Sequence, residues 1–119
     1  FVLAVVPASG EVALRGLGAL LAPPVCLATE QELQGLFLDC EVGAVPPLGQ
    51  AYGIRTIVDR QLLDRDDIYF EGGDHRTVVH IKGGAFRRLM DKVPHRNISR
   101  RLSSNGAQSV SGDVCYWGA

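Results

Sequence analysis

A chain of 119 residues with a net charge of −1 has room for one hydrophobic core and not for two. Its 46% hydrophobic and 21% charged residues are those of an ordinary globular domain, and no apolar run approaches the ~20 residues that span a bilayer. A near-neutral total also argues against a dedicated nucleic-acid binder.

The opening FVLAVV (1–6) is continuous and β-branched, which predicts a strand buried on both faces. It is too short for a signal-peptide core and has no basic lead-in, so the expected location is cytoplasmic. Pro7 to Gly10 turns the chain, and Leu14, Leu17 and Leu21 recur at helical spacing, predicting a helix over 11–22 that Pro23-Pro24 ends. A short strand is expected over 25–28. Thr29 and Glu32 then form the Thr-x-x-Glu pattern of a capping box ahead of Leu33, Leu36 and Phe37. After a loop, RTIVD (55–59), DIYFE (67–71) and TVVHI (77–81) read as three short strands, and Gly83-Gly84 leads into a helix over 85–90. The fold class that follows is α+β, a mixed central sheet with helices packed around it.

Residues 91–119 have another character. SSNGAQSVSGD is polar and without period, which predicts a loop or flexible tail, so the expected division is a folded part over 1–90 and a polar C-terminal extension over 91–119. The aromatic pair in VCYWGA at its end is expected to dock, on this domain or on a second subunit. Charge is uneven as well. Residues 1–81 hold five Arg/Lys and eleven Asp/Glu, whereas residues 82–101 hold seven basic residues and Asp91 alone. A local basic segment of this kind suits phosphate contacts, with a solvated helix face as the other reading. Cys26, Cys40 and Cys115 lack CxxC spacing and read as reduced thiols, with no metal site expected.

The stretch CEVGAVPPLGQAYG (40–53) is unusually apolar for a connection. Pro46 and Pro47 fix φ and restrict the residues before them, so the loop is pre-ordered. Ala44, Val45 and Leu48 can wall a small apolar pocket, and free backbone N–H groups in such a turn can stabilise an oxyanion. A rigid structural turn is the alternative. Together these motifs, VLAVVP, LATEQELQGLF, the Gly43-Ala44-Val45-Pro46-Pro47 loop, VDRQLL and FEGGDH, in that order, resemble the YbaK/prolyl-tRNA synthetase-associated domain family of aminoacyl-tRNA editing deacylases.

That resemblance implies hydrolysis of the ester of a mischarged small amino acid on tRNA, without metal or cofactor, and aminoacyl-tRNA as partner. It implies that Gly43 to Pro47 line the amino-acid pocket, with Gly43 presenting its amide to the ester, and that Gly73 and His75 occupy the turn carrying a family histidine. Asp59 corresponds to an aspartate after the loop; it caps a turn or binds the α-ammonium group. Arg87, Arg88, Arg100 and Arg101 are the expected tRNA contacts. Family members carry a lysine on a strand ahead of VLAVVP, and this sequence starts inside the later strand, so the expectation is a fragment or a shortened member. A catalytically inactive binding module is the alternative function, and sheet edges left uncovered predict a homo-oligomer. Two further chemistries are open: Cys40 as a nucleophile with His75 as base, and Lys82 in place of the family lysine. His80, alternating with Val79 and Ile81, reads as structural.

Overall fold

The computed structural model describes residues 1–13, 26–41, 44–101 and 113–118. In chain order the strands are β1 (Val2–Val6), β2 (Gly10–Val12), β3 (Cys26–Leu27), β4 (Arg55–Asp59), β5 (Asp67–Glu71), β6 (Val78–Lys82), β7 (His95–Arg96), β8 (Ser99–Arg101) and β9 (Asp113–Gly118). The helices are α1 (Glu30–Leu36) and α2 (Gly83–Leu89). Five strands form the central sheet in the order β3-β9-β1-β4-β7, with β1, β4 and β7 parallel and β9 antiparallel to both of its neighbours. Two antiparallel ribbons, β2-β8 and β5-β6, complete an α+β fold.

All five residues of β1 are buried, as a continuous apolar run demands. Alternation along the strand sends them to opposite faces. Leu3 and Val5 join a cluster with Phe37, Val45, Val58, Leu62, Ile68, Phe70 and Phe86. Val2, Ala4 and Val6 meet Val12, Ile57 and Ile98 on the other side. At ~1.5–3 kcal/mol for each fully buried aliphatic or aromatic side chain, these two layers hold the sheet in place.

Helix α1 begins with the expected capping box: the Thr29 hydroxyl accepts from the Glu32 N–H at 3.2 Å, and the Glu32 carboxylate accepts from the Thr29 N–H at 2.9 Å. No residue within α1 is fully buried; it is anchored by partly buried Leu33 and Leu36 and by Phe37, 2% exposed, at its C-terminal end. Helix α2 starts two residues before the expected position. The Gly83 N–H donates to the Asp66 carbonyl at 2.7 Å, and a Cβ there would run into the Arg65 carbonyl, so only glycine lets the helix begin against that backbone.

One expectation needs correction. The segment expected as a helix over 11–22 opens as strand β2, because Gly10 to Val12 pair with Ser99–Arg101; residues 14–25 lie outside the described residues. Within 91–119, expected as a polar extension with its loop or tail in SSNGAQSVSGD, the described residues include three strands. The short strand β7 extends the sheet beyond β4, β8 pairs with β2, and β9 inserts between β1 and β3 with Val2 opposite Trp117 and Val6 opposite Asp113. Residues 102–112, most of the Ser/Gly-rich run, lie outside the described residues.

Candidate functional site

The apolar loop is fastened to the β5-β6 hairpin turn by two backbone hydrogen bonds. The Glu41 N–H donates to the Gly73 carbonyl, and the Gly73 N–H donates to the Ala44 carbonyl, each at 2.8 Å. Gly73 has φ +103°, a conformation that a side chain would strain. Asp74 shapes the rest of the turn by accepting from the N–H groups of Arg76 (2.9 Å) and Thr77 (2.6 Å), which hold its carboxyl below the usual carboxylate range. Gly43 lies outside the described residues. Ala44 is fully buried and its N–H is taken by the Glu41 carbonyl at 3.1 Å. Val45 is 5% exposed and packs in the core cluster, while its N–H donates to no described residue.

Pro46 is half-buried, and Pro47 forms part of the wall of a cleft of about 140 Å³. The apolar lining comes from Val5, Ala8, Pro47, Leu62, Ile68 and Phe86; Arg65, Asp67 and Tyr69 supply the polar side. Leu62 is set by Asp59, which is 0% exposed. The Asp59 carboxylate accepts from the Gln61 N–H at 2.8 Å, capping the 3-10 turn Arg60–Asp64, and from the buried Ile98 N–H at 3.1 Å. Both oxygens thus serve the backbone, the capping reading of this residue.

His75 sits on the surface with Nδ1 3.6 Å from Glu71 Oε2 and Nε2 3.9 Å from Glu41 Oε2. The loop segment 41–47 therefore has His75 near its start and the cleft at its end. Cys40 lies in a different arrangement. Its thiol is 3.1 Å from the Tyr52 hydroxyl and donates to Asp39 Oδ1 at 3.4 Å, while Tyr52 donates to the same oxygen at 2.7 Å. Burial is the main cause pushing the Cys40 thiol up, and the Asp39 carboxylate adds to it. The bond to Cys40, then burial, pushes Tyr52 up, and the bond from Tyr52 holds Asp39 down. A thiol so placed is protonated at neutral pH, which disfavours the nucleophile reading. Lys82 is bound to Asp67 at 3.1 Å, an ion pair that raises its pKa, beside the polar side of the cleft.

The expected basic contacts come from two different elements. Arg87 and Arg88 end α2, whose Phe86 packs in the first core layer, and Arg87 Nη1 donates to the Leu63 carbonyl at 2.9 Å. Arg100 and Arg101 lie on β8, paired with β2, whose Val12 packs in the second layer. Sequence reading also missed the polar side of the cleft. In DIYFE the alternation that buries Ile68 and Phe70 turns Asp67, Tyr69 and Glu71 outward. An aromatic residue at an outward position, next to Arg65, was the available signal.

With this geometry in view, comparison with known proteins is informative. The model of the aminoacyl-tRNA editing domain matches residues 1–89. The chain belongs to that family. Its match covers the loop, the Gly73 turn and every residue lining the cleft. Among solved structures the chain is similar to the hypothetical protein APE2540, with 25% identity and a TM-score of 0.70 over 82% of this chain and 65% of that one. It is also similar to a candidate signal transduction protein from Marinobacter aquaeolei VT8, with 19% identity and a TM-score of 0.71 over 82% of this chain and 22% of that one. A third similar structure comes from computational design of scaffolds for epitope presentation, with 19% identity and a TM-score of 0.66 over 76% of this chain and 59% of that one. The chain thus spans less than two thirds of each of these proteins, and the likenesses concern the fold. No curated protein sequence matches.

Proposed function

We propose that this domain is an aminoacyl-tRNA deacylase that hydrolyses the ester between a mischarged small amino acid and the 3′ end of tRNA. The observation that carries the reading is the loop Ala44–Pro47, clamped to Gly73, whose Pro47 walls a cleft of about 140 Å³. A cavity of that size is comparable to the ~150 Å³ that admits a benzene-sized group, so a small side chain suits it. Water attacks the ester carbonyl, the carbonyl oxygen gains negative charge, and the bond to the ribose oxygen breaks. The ribose oxygen leaves as a hydroxyl and the amino acid as a carboxylate. The amides of Gly43 and Val45 are assigned to the developing oxyanion, at ~3 kcal/mol per donor. The terminal ribose hydroxyl orients the water, and His75, between two carboxylates, positions the polar end of the substrate. Arg87 and Arg88 at the end of α2, or Arg100 and Arg101 on β8, meet the phosphate backbone. Removing the pair that does so weakens all tRNAs alike and lowers the salt dependence.

The test is amino-acid release from tRNAs charged with alanine, serine and cysteine. The protein is expected to deacylate at least one of them, and Gly43→Ala to lower kcat by about 10². Folded protein that releases no amino acid from any of the three overturns the reading. A binding module without turnover is the second reading, favoured by the protonated Cys40 thiol and the fully engaged Asp59 carboxylate, which leave few groups for acid-base work. It predicts tRNA binding with no hydrolysis.

A further inference from the structure

The outer face of the β5-β6 hairpin carries a network that neither the fold nor the proposed chemistry uses. Tyr69 and His80 are directly opposite in the antiparallel register, and their rings stack with centroids 4.5 Å apart and planes 13° from parallel. His80 Nε2 is 2.8 Å from Asp67 Oδ1, and Lys82 Nζ is 3.1 Å from the same oxygen. One face of the Tyr69 ring is thus covered by imidazole, and that imidazole is held by its contact with the Asp67 carboxylate. Even so, Tyr69 is 48% exposed, and it stands at the cleft together with Arg65. The Arg65 guanidinium makes no hydrogen bond or ion pair with any described residue. The negative charge of Asp67, the carboxylate on the cleft wall, is met by Lys82, and the same oxygen is in hydrogen-bond reach of His80.

An aromatic ring fixed in orientation before any ligand arrives loses little rotamer freedom on binding. Every nucleobase has a π-face, so such a ring is a sequence-tolerant stacking surface, and a guanidinium on the same cleft wall, bonded to no described residue, suits a phosphate. We propose that Tyr69 is the stacking platform for the terminal base of an RNA 3′ end, with Arg65 contacting the adjoining phosphate. This rests on the reading of the cleft as the place of an aminoacyl ester. The base then lies on the rim while the amino acid enters the apolar interior walled by Pro47, Leu62 and Phe86. His80 acts through Tyr69, as a positioning residue.

The experiment is fluorescence anisotropy of the full chain with two labelled single-stranded RNAs, one ending in cytidine-cytidine-adenosine and one lacking that adenosine. The protein is expected to bind the complete end more tightly. Tyr69→Leu removes the difference, weakening binding of the complete RNA about tenfold, the scale of one base stacked on an aromatic ring. Tyr69→Phe keeps it, because the ring face and not the hydroxyl makes the contact. Arg65→Gln weakens both RNAs alike, and less so as salt is raised. Equal affinity of Tyr69→Leu and the parent protein for the complete end overturns the proposal. So does a Tyr69→Leu protein whose only change is a lower melting temperature, since the stack then serves the hairpin alone. Free adenosine monophosphate competing as well as the RNA would place the recognition in the nucleotide and refute a dependence on the 3′ end. If no charged tRNA is hydrolysed but the terminal adenosine is still read through Tyr69, the deacylase reading falls and the platform stands. If hydrolysis proceeds and Tyr69→Leu leaves KM and RNA affinity unchanged, only the platform falls.

Discussion

Replacing Asp59 by alanine separates a structural from a substrate-binding carboxylate. In the folded protein its side chain is 0% exposed and accepts from the Gln61 N–H at 2.8 Å and from the Ile98 N–H at 3.1 Å. Alanine removes a cap at the start of the turn Arg60–Asp64, a loss of ~1 kcal/mol. It also strands the N–H of Ile98, a residue that is itself 0% exposed, at a further ~2 kcal/mol for an unpaired buried donor. The sum, about 3 kcal/mol, is a large part of the ~5–15 kcal/mol that holds a domain folded. For a chain of this size it lowers the melting temperature by roughly 12 °C. Asp59→Asn keeps one carbonyl acceptor but turns an NH₂ toward the other N–H, so it is expected to be destabilising as well. Urea unfolding followed by circular dichroism measures both variants. A change below ~0.5 kcal/mol for Asp59→Ala, the scale of an ordinary surface substitution, refutes the reasoning. It would point instead to a carboxylate kept for the ammonium group of a ligand, and KM would then rise without loss of stability.

Other outcomes follow from the same contacts. Cys40, with its thiol pushed up by burial, is expected to react with iodoacetamide more slowly than a free cysteine at neutral pH, read by mass spectrometry of its peptide, and Cys40→Ala keeps any deacylation. Gly83→Ala drives a Cβ into the Arg65 carbonyl and is expected to destabilise by ~1–3 kcal/mol; an unchanged urea midpoint would mean that α2 begins differently. Acid should unfold the protein through its hydrogen-bonded carboxylates. Asp39, Asp67 and Asp74 are all held below their ordinary range, first by Tyr52, by His80 and by the Arg76 N–H respectively. A depressed folded-state pKa contributes stability that is fully present above the unfolded value and is lost as pH falls through the folded one. The urea midpoint is therefore expected to fall below about pH 4, and Asp74→Asn to flatten that fall; a midpoint independent of pH in this range removes the linkage.

The local parts of this protein were legible from residue order because local rules decide them. A run of β-branched residues makes β1, Thr29 and Glu32 cap α1 through bonds three residues apart, and period-two alternation sets β5. Gly73 and the proline-rich loop were also recognisable as constrained segments, by resemblance and by their restricted backbone. What joins them was not. The Glu41–Gly73 and Gly73–Ala44 bonds close a loop of some thirty residues, and no spacing rule reports such a closure. The segment 91–119 carries too weak a pattern to announce strands. The strands β7, β8 and β9 exist because existing sheet edges offer unpaired N–H and C=O groups that an extended segment satisfies. The same holds for chemistry. Residue type nominated Cys40, His75 and Asp59, but burial and hydrogen bonding decide their states: a protonated thiol, a surface imidazole between carboxylates and a carboxylate spent on backbone donors. The outward position of Tyr69 follows from alternation alone, whereas its stack on His80 and its place beside Arg65 follow from the register of a hairpin and the packing of a cleft. Sequence determines which groups are present and how each short segment is disposed; the long-range pairings of the sheet decide which groups meet.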